Sequence, residues 1–389
     1  MKVLQIVPSV SLVYGGPSQM ILGFSQALAE QGVDVTLLTT DSNGDSGQDP
    51  LDVPLNQAIP QDGYQIRYCR CSPFRRYKFS LPLFQWLWNH AGDYDLVHIH
   101  ALFSPVSSLS AWICRQRGVP YVLRPLGTLD PADLRKKSRL KDLYARVLER
   151  ENLAQAAAVH FTTAEEAKIS HRFGVKTEDW VIPLGVTPPE SPPRMQEICQ
   201  ELGVDATRPL VLFMSRVEPK KGLDLLIPAL EAVAAKGVEF QFVLAGSNPQ
   251  DPAYEQRIGD RLRHSPIHPQ TRITGFVSGD SKAALLHRAD LFVLPSYYEN
   301  FGIAVAEAMG VGTPVLISDR VQICDAVADS ESGWVADCSV ESVRDRLLDG
   351  LANLDDCQRR GNNARTYATQ YYSWQAIAQT AIEQYQRII

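Results

Sequence analysis

The stretch LFVLPSYYENFGIAVAEAMGVGTPVLI, residues 291–317, reads as strand, loop, helix and strand. Residues 291–295 are a short continuous apolar run, and 314–317 are another. Strands that are apolar on both faces belong to buried parallel sheets, and helical crossovers supply the connection. The intervening helix is expected to start near Gly302. Working outward, the same alternation fills the rest of this half: 210–214, 240–245, 271–276 and 333–335 read as further strands with helical stretches between them. Upstream, residues 3–8, 33–39, 65–68, 96–100, 121–123, 158–161 and 180–182 repeat the pattern.

Between the two series lies LGVTPPESPP, 184–193, with four prolines in ten residues. Proline fixes φ and removes a donor, so this is a linker. The expectation is an α/β protein of two Rossmann-like parallel-sheet domains facing across a cleft, one over 1–187 and one over 188–371. A last segment, 372–389, carries apolar residues at helical spacing. It is too short to stand alone and should dock on the first domain.

Composition narrows the function classes. The chain has 389 residues, is 45% hydrophobic and 21% charged, and carries a net charge of −6. That excludes a disordered chain and a chain-wide basic surface for nucleic acid. No apolar run approaches the ~20 residues that span a bilayer, and MKVLQIVPS reads as a first strand, not a leader. Seven scattered Cys read as reduced thiols, which points to the cytoplasm. Against this background RKKSRLKDLYARVLER, 135–150, has seven basic and two acidic residues. It reads either as a solvated helix or as a contact with anionic membrane lipid.

In open α/β sheets ligands bind beyond the carboxyl ends of the strands, so residues just after each strand are the candidates. After 291–295 come Glu299 in a loop, Phe301, Gly302 and Ile303 at a helix start, and Glu307 inside the helix. Free amides at a helix N-terminus hold anions or hydroxyl oxygens. Two carboxylates around them suit a polyhydroxylated ligand that carries phosphate. After 210–214 comes SRVEPKKGLDLLI, in which Arg216 and Lys221 offer the fixed cations that a diphosphate needs.

In the first half Gly15-Gly16 lets a backbone approach a ligand, yet the G-x-G-x-x-G fingerprint is not met, which excludes a nicotinamide dehydrogenase. LVHIH, 96–100, puts His98 and His100 on one strand face, with His100 at the cleft edge. No third ligand sits at metal spacing, so no metal is expected. His98 reads as a core histidine, and His100 as a hydrogen-bonding or catalytic residue. Asp93-Tyr94-Asp95 mimics a metal-binding D-x-D but precedes a buried strand at its amino end. Asp41-x-Asn43-x-Asp45 mimics part of a calcium loop but lacks the required Gly, and it reads as a solvated loop.

Glu299, Phe301-Gly302 and Glu307 together resemble the E-x-F-G-x-x-x-x-E signature of retaining GT-B glycosyltransferases of the fourth family. Gly15-Gly16, LVHIH and RVEPKKG follow in that family's order, and the resemblance covers nearly the whole chain. VLRPLGTLDP, 122–131, is similar to the branch that builds exopolysaccharides and lipid-linked glycans. The resemblance implies a nucleotide-sugar donor as substrate, UDP-glucose first and GDP-sugars second, with no cofactor. It implies a glycan or lipid-linked oligosaccharide acceptor. Arg216 and Lys221 would hold the diphosphate, Glu307 the ribose, Glu299 the transferred hexose, and Val277 would face the base. Gly16 would approach the phosphates and His100 a far sugar hydroxyl, with His100 and Glu299 as the catalytic pair. One departure is RVQICD at 320–325, where the family often has Gly-Gly-x-x-Glu. A nucleotide-sugar epimerase or a non-catalytic partner subunit of similar fold are the competing expectations.

Overall fold

A parallel strand buried on both faces must be apolar at successive positions, and this decides both sheets. The computed structural model describes residues 1–11, 13, 16–44, 48–72, 78–130 and 144–389. The chain divides into two compact units, Met1–Gly185 with Trp374–Ile389, and Val186–Ser373. The final helix, Trp374–Tyr385, thus packs with the first unit.

The first unit holds β1 (Lys2–Ser9), β2 (Asp34–Thr40), β3 (Ala58–Pro60), β4 (Gln65–Cys69), β5 (Leu96–His100), β6 (Tyr121–Arg124), β7 (Ala158–Phe161) and β8 (Asp179–Val181). Their order is β3-β4-β2-β1-β5-β6-β7-β8. Pairing is parallel except between β3 and β4. In β1 the alternation assigns faces. Val3 and Val7 pack in a core with the helices Gly16–Glu30 and Trp374–Tyr385. Leu4 and Ile6 pack in a second core with Leu81–His90 and Pro105–Arg117. β3 is an exposed antiparallel edge strand that the apolar pattern does not announce.

The second unit holds β9 (Leu210–Met214), β10 (Gln241–Ala245), β11 (Thr271–Gly275), β12 (Leu291–Leu294), β13 (Val315–Ser318) and β14 (Gly333–Ala336). The order is β11-β10-β9-β12-β13-β14, parallel throughout. In each sheet the chain runs outward on one side and then returns to the other side of its first strand. The reversal lies between β1 and β5 in the first sheet and between β9 and β12 in the second. Adjacent crossovers diverge at such a point and leave a crevice at the carboxyl edge.

The Asp41 loop differs from its expectation. Asp41 and Ser42 are buried, not solvated: Cys71 N donates to Asp41 at 2.7 Å, and Arg70 pairs with Asp41 at 2.8 Å. A buried carboxylate needs a cation and a donor, and the segment just after β4 delivers both. Most of the basic run lies outside the described residues. Among the described residues no helix is long and apolar enough to cross a membrane.

Candidate functional site

In the second unit the site grows from the reversal between β9 and β12. The chain leaves β9 through Arg216 and a 3-10 turn, Pro219–Lys221, before the helix Leu223–Ala235. Gly222 joins turn to helix with φ 73°, and a Cβ there would overlap the Pro295 carbonyl oxygen. Only glycine lets this loop lie so close to the end of β12. Tyr297 N donates to Lys220 O at 2.8 Å, and its hydroxyl donates to Asp224 at 2.8 Å, which laces the two loops together. Lys221 Nζ, buried at its loop, donates to Glu299 Oε2.

Glu299 is held by its backbone as well. Its N–H donates to Arg320 O at 3.2 Å, and Gln322 N donates back to Glu299 O at 3.0 Å. The departing segment 320–325 therefore has a visible task in this unit: Val321 bridges Glu299 in parallel. Gly302 then takes φ 78° and caps the helix Ile303–Val311 with no side-chain cap bond, leaving its first amides open. Phe301 is 2% exposed, and its ring meets Tyr372 edge-on at 5.1 Å, so its side chain anchors while its backbone faces the helix start.

Glu307, on the same helix, accepts from Lys282 at 2.6 Å. Lys282 was not singled out by sequence, although its place in the first turns of the helix Gly279–Arg288 after β11 was a usable signal. Val277 follows β11 and is half-buried beside Phe276, which is 76% exposed. Arg216 is 57% exposed at its side chain and pairs with Glu218 at 3.3 Å. Lys221 has three donors and gives one to Glu299, so it can turn others to an oxyanion while Glu299 keeps acceptor capacity for hydroxyls.

In the first unit Gly16 opens the helix Gly16–Glu30 after β1, while Gly15 lies outside the described residues. His100 ends β5 beside Arg124, its register partner on β6. The structure encloses His100 instead of opening it on an edge: it is 0% exposed, and its Nε2 contacts Gln5 Oε1 at 2.6 Å. Apolar packing from Phe24 and the rest of this core makes the burial complete. His98 and His160 are equally buried, and burial drives all three below the ordinary histidine range, with Arg124 adding to it. Arg124 itself is pushed down to about 10 by burial. Gln5, Arg124, His160 and Tyr385 carried no sequence signal, since each sits singly inside an apolar run or a helix. Among the described residues no cluster of His, Cys, Asp and Glu could hold a metal ion.

Comparison with known proteins covers both units. Residues 15–185 match the family described as Glycosyl transferase 4-like domain, and 194–367 match Glycosyl transferases group 1. Among curated relatives, the D-inositol 3-phosphate glycosyltransferase of Nocardia farcinica is 27% identical over 95% of this chain and 84% of its own. The phosphatidyl-myo-inositol mannosyltransferase of Mycobacterium leprae is 25% identical over 100% and 97%. Of solved structures, sucrose-phosphate synthase from Thermosynechococcus elongatus superposes with TM-score 0.72 at 22% identity, covering 100% and 99%. Anabaena HepE, solved in complex with UDP-glucose, superposes with TM-score 0.73 at 18% identity and full coverage of both chains.

Proposed function

The chain belongs to the fourth family of GT-B glycosyltransferases, and from that premise we propose that it is a retaining, metal-independent hexosyltransferase using a nucleotide sugar. The observation that carries the reading is the meeting of Lys221 and Glu299, delivered by the two loops that flank the reversal in the second sheet. Lys221 and Arg216 hold the donor diphosphate, and the amides of Phe301, Gly302 and Ile303 add backbone donors to it. Glu307, oriented by Lys282, takes the ribose hydroxyls, and the backbone at Val277 meets the base. Glu299 takes hydroxyls of the transferred hexose.

A nucleoside diphosphate leaves once its growing charge is met by fixed donors. Lys221 and Arg216 supply that charge, so the reaction needs no metal. The acceptor hydroxyl attacks the face from which the diphosphate departs, and configuration is retained without a glycosyl-enzyme. The first unit binds the acceptor, with Gly16 near the phosphates; His100, enclosed in this unit's core, shapes the strand end behind them.

UDP-glucose is the donor we favour, supported by the HepE complex. The acceptor is a growing glycan of exopolysaccharide or cell-envelope biosynthesis, supported by VLRPLGTLDP at 122–131. The enzyme works in the cytoplasm, and residues 135–150 bring it to the anionic inner face of the membrane. The test is nucleotide release from UDP-, GDP- and ADP-sugars, with and without membrane extract, beside Glu299→Ala. Release from one donor, lost in the variant, is the expected result. Binding without release under every condition would favour a non-catalytic subunit, and interconversion of donors without acceptor would favour an epimerase.

A further inference from the structure

Arg124 is a buried cation without a carboxylate. It ends β6, is 2% exposed, and is lowered by burial only to about 10, so it is charged at neutral pH. Its Nη1 donates to Met20 Sδ at 2.8 Å, a weak acceptor, and its Nε is enclosed with no partner. The carboxylate whose field reaches it is Glu166, and that group is committed elsewhere. Glu166 Oε1 accepts from Gly127 N at 2.9 Å, and Oε2 accepts from Thr162 N at 2.8 Å and Thr162 Oγ1 at 2.6 Å. A buried charge without a partner destabilises a fold, so packing alone does not account for an arginine here.

Its place suggests the task. Met20 and Phe24 both lie on the helix Gly16–Glu30, and the guanidinium sits against Met20 and 6.0 Å from the Phe24 ring centroid. Met20 is about 6 Å beyond Gly16 along the axis, and helical side chains lean toward the helix N-terminus. That end has no acidic residue in its first turn, and it is open: Gly16 is half-buried, and Val13 just before it is 59% exposed. Its first amides have no partners within the helix, and their partial positive charge adds to that of Arg124. The other helix at this reversal, Pro105–Arg117, is different. Glu149, 1% exposed, lies at its start, where Oε1 accepts from Phe103 N at 2.9 Å and from Ser108 Oγ at 2.6 Å. That helix end already holds an anion; among the described residues the end at Gly16 holds none.

We propose that Arg124, through the field of its unpaired charge, strengthens the hold on a phosphate oxyanion at the start of the helix Gly16–Glu30. Arg124 is a positioning residue: it touches no ligand and acts through the helix amides, which do. The ligand class is an oxyanion of phosphate type, since a neutral sugar or nucleoside gains nothing from such a field. The proposal rests on the reading that Gly16 approaches the donor phosphates, and it gives the arginine of VLRPLGTLDP, 122–131, a role there.

The test is calorimetric titration of the whole chain with inorganic pyrophosphate, UDP and uridine at neutral pH, on wild type, Arg124→Met and Arg124→Lys, beside thermal unfolding of each without ligand. At an effective dielectric constant of about 20 and a separation of about 10 Å, one unit charge changes affinity on the order of tenfold. Arg124→Met should therefore weaken pyrophosphate and UDP by about that factor and leave uridine unchanged. It should melt no lower than wild type, because it removes an unpaired charge and keeps an unbranched side chain. Arg124→Lys keeps the charge without the planar fork, so it should bind both anions within about threefold of wild type. An Arg124→Met chain that binds pyrophosphate like wild type overturns the proposal, as does a loss that Arg124→Lys shares in full. An Arg124→Met chain that melts well below wild type and loses uridine with the anions assigns Arg124 to packing and also overturns it. Pyrophosphate held through Arg124 by a chain that releases nucleotide from no donor would instead sink the transferase reading and leave the subsite standing.

Discussion

Replacing Lys221 by alanine probes the core of the catalytic reading. Lys221 is 8% exposed at its side chain and Glu299 19%, so water screens their pairing only in part. Hydrogen bonds to charged groups contribute about 1.5–3 kcal/mol, and each 1.36 kcal/mol is tenfold in rate, so losing one such bond to the leaving diphosphate costs roughly 10–100-fold in turnover. The change also strands Glu299, whose hold on a sugar hydroxyl loosens, so the larger figure is expected. The natural control is adjacent in sequence. Lys220 is 44% exposed and pairs with Glu218 at 3.5 Å, so Lys220→Ala should leave turnover within about twofold. Nucleotide release at saturating donor, beside thermal unfolding of each variant, separates chemistry from folding. Equal losses for the two variants would show that general positive charge is at work and would refute the pairing argument. An unchanged Lys221→Ala enzyme would remove Lys221 from the site.

Two further perturbations test the frame that holds these groups. The folded-state pKa values of His98, His100 and His160 lie below their unfolded values, so the unfolded chain binds more protons in acid. Their stabilisation is complete above about pH 6.5 and is lost as pH falls, by up to about 1.4 kcal/mol per ring per pH unit; urea unfolding at pH 7.5 and 5.5 should show it, and equal midpoints would contradict neutral rings. Gly222→Ala places a Cβ against the Pro295 carbonyl at a positive φ, so it should lower the melting temperature and weaken donor binding together; a variant that melts and binds like wild type would mean the loop has room to spare.

The second sheet was legible because all six of its strands are parallel and β9, β10, β12 and β13 are buried along their whole length, which writes them as unbroken apolar runs. The edge strand β3 was not, since AIP leaves one face and both ends in water and carries no such run. Candidate residues stand out in sequence where several reactive types follow one strand, as with Arg216 and Lys221 after β9 and Glu299 and Glu307 after β12. Their partners do not. Lys282 is 25 residues from Glu307, and Tyr385 is 287 from His98, and in a single sequence nothing links positions so far apart except the fold that brings them together. Asp41 failed for the same reason: its loop is polar enough to read as solvated, and only the return of β4 with Arg70 makes it a buried pair.

Both sheets put their candidate groups on the same topological feature. Lys221 and Glu299 follow the two strands at one reversal, while Gly16 and His100 follow the two strands at the other. The chemistry beneath the two edges is opposite. The second unit presents charges matched in pairs, Lys221 with Glu299 and Lys282 with Glu307, which can be redistributed when a charged ligand arrives. Beneath the edge of the first unit lie the buried rings of His98, His100 and His160 and the Gln5 carboxamide, joined by hydrogen bonds. A developing phosphate charge is best met by fixed cations, and carboxylates beside them accept from hydroxyls. The paired charges behind the edge of the second sheet support the proposal that this unit takes the anionic donor.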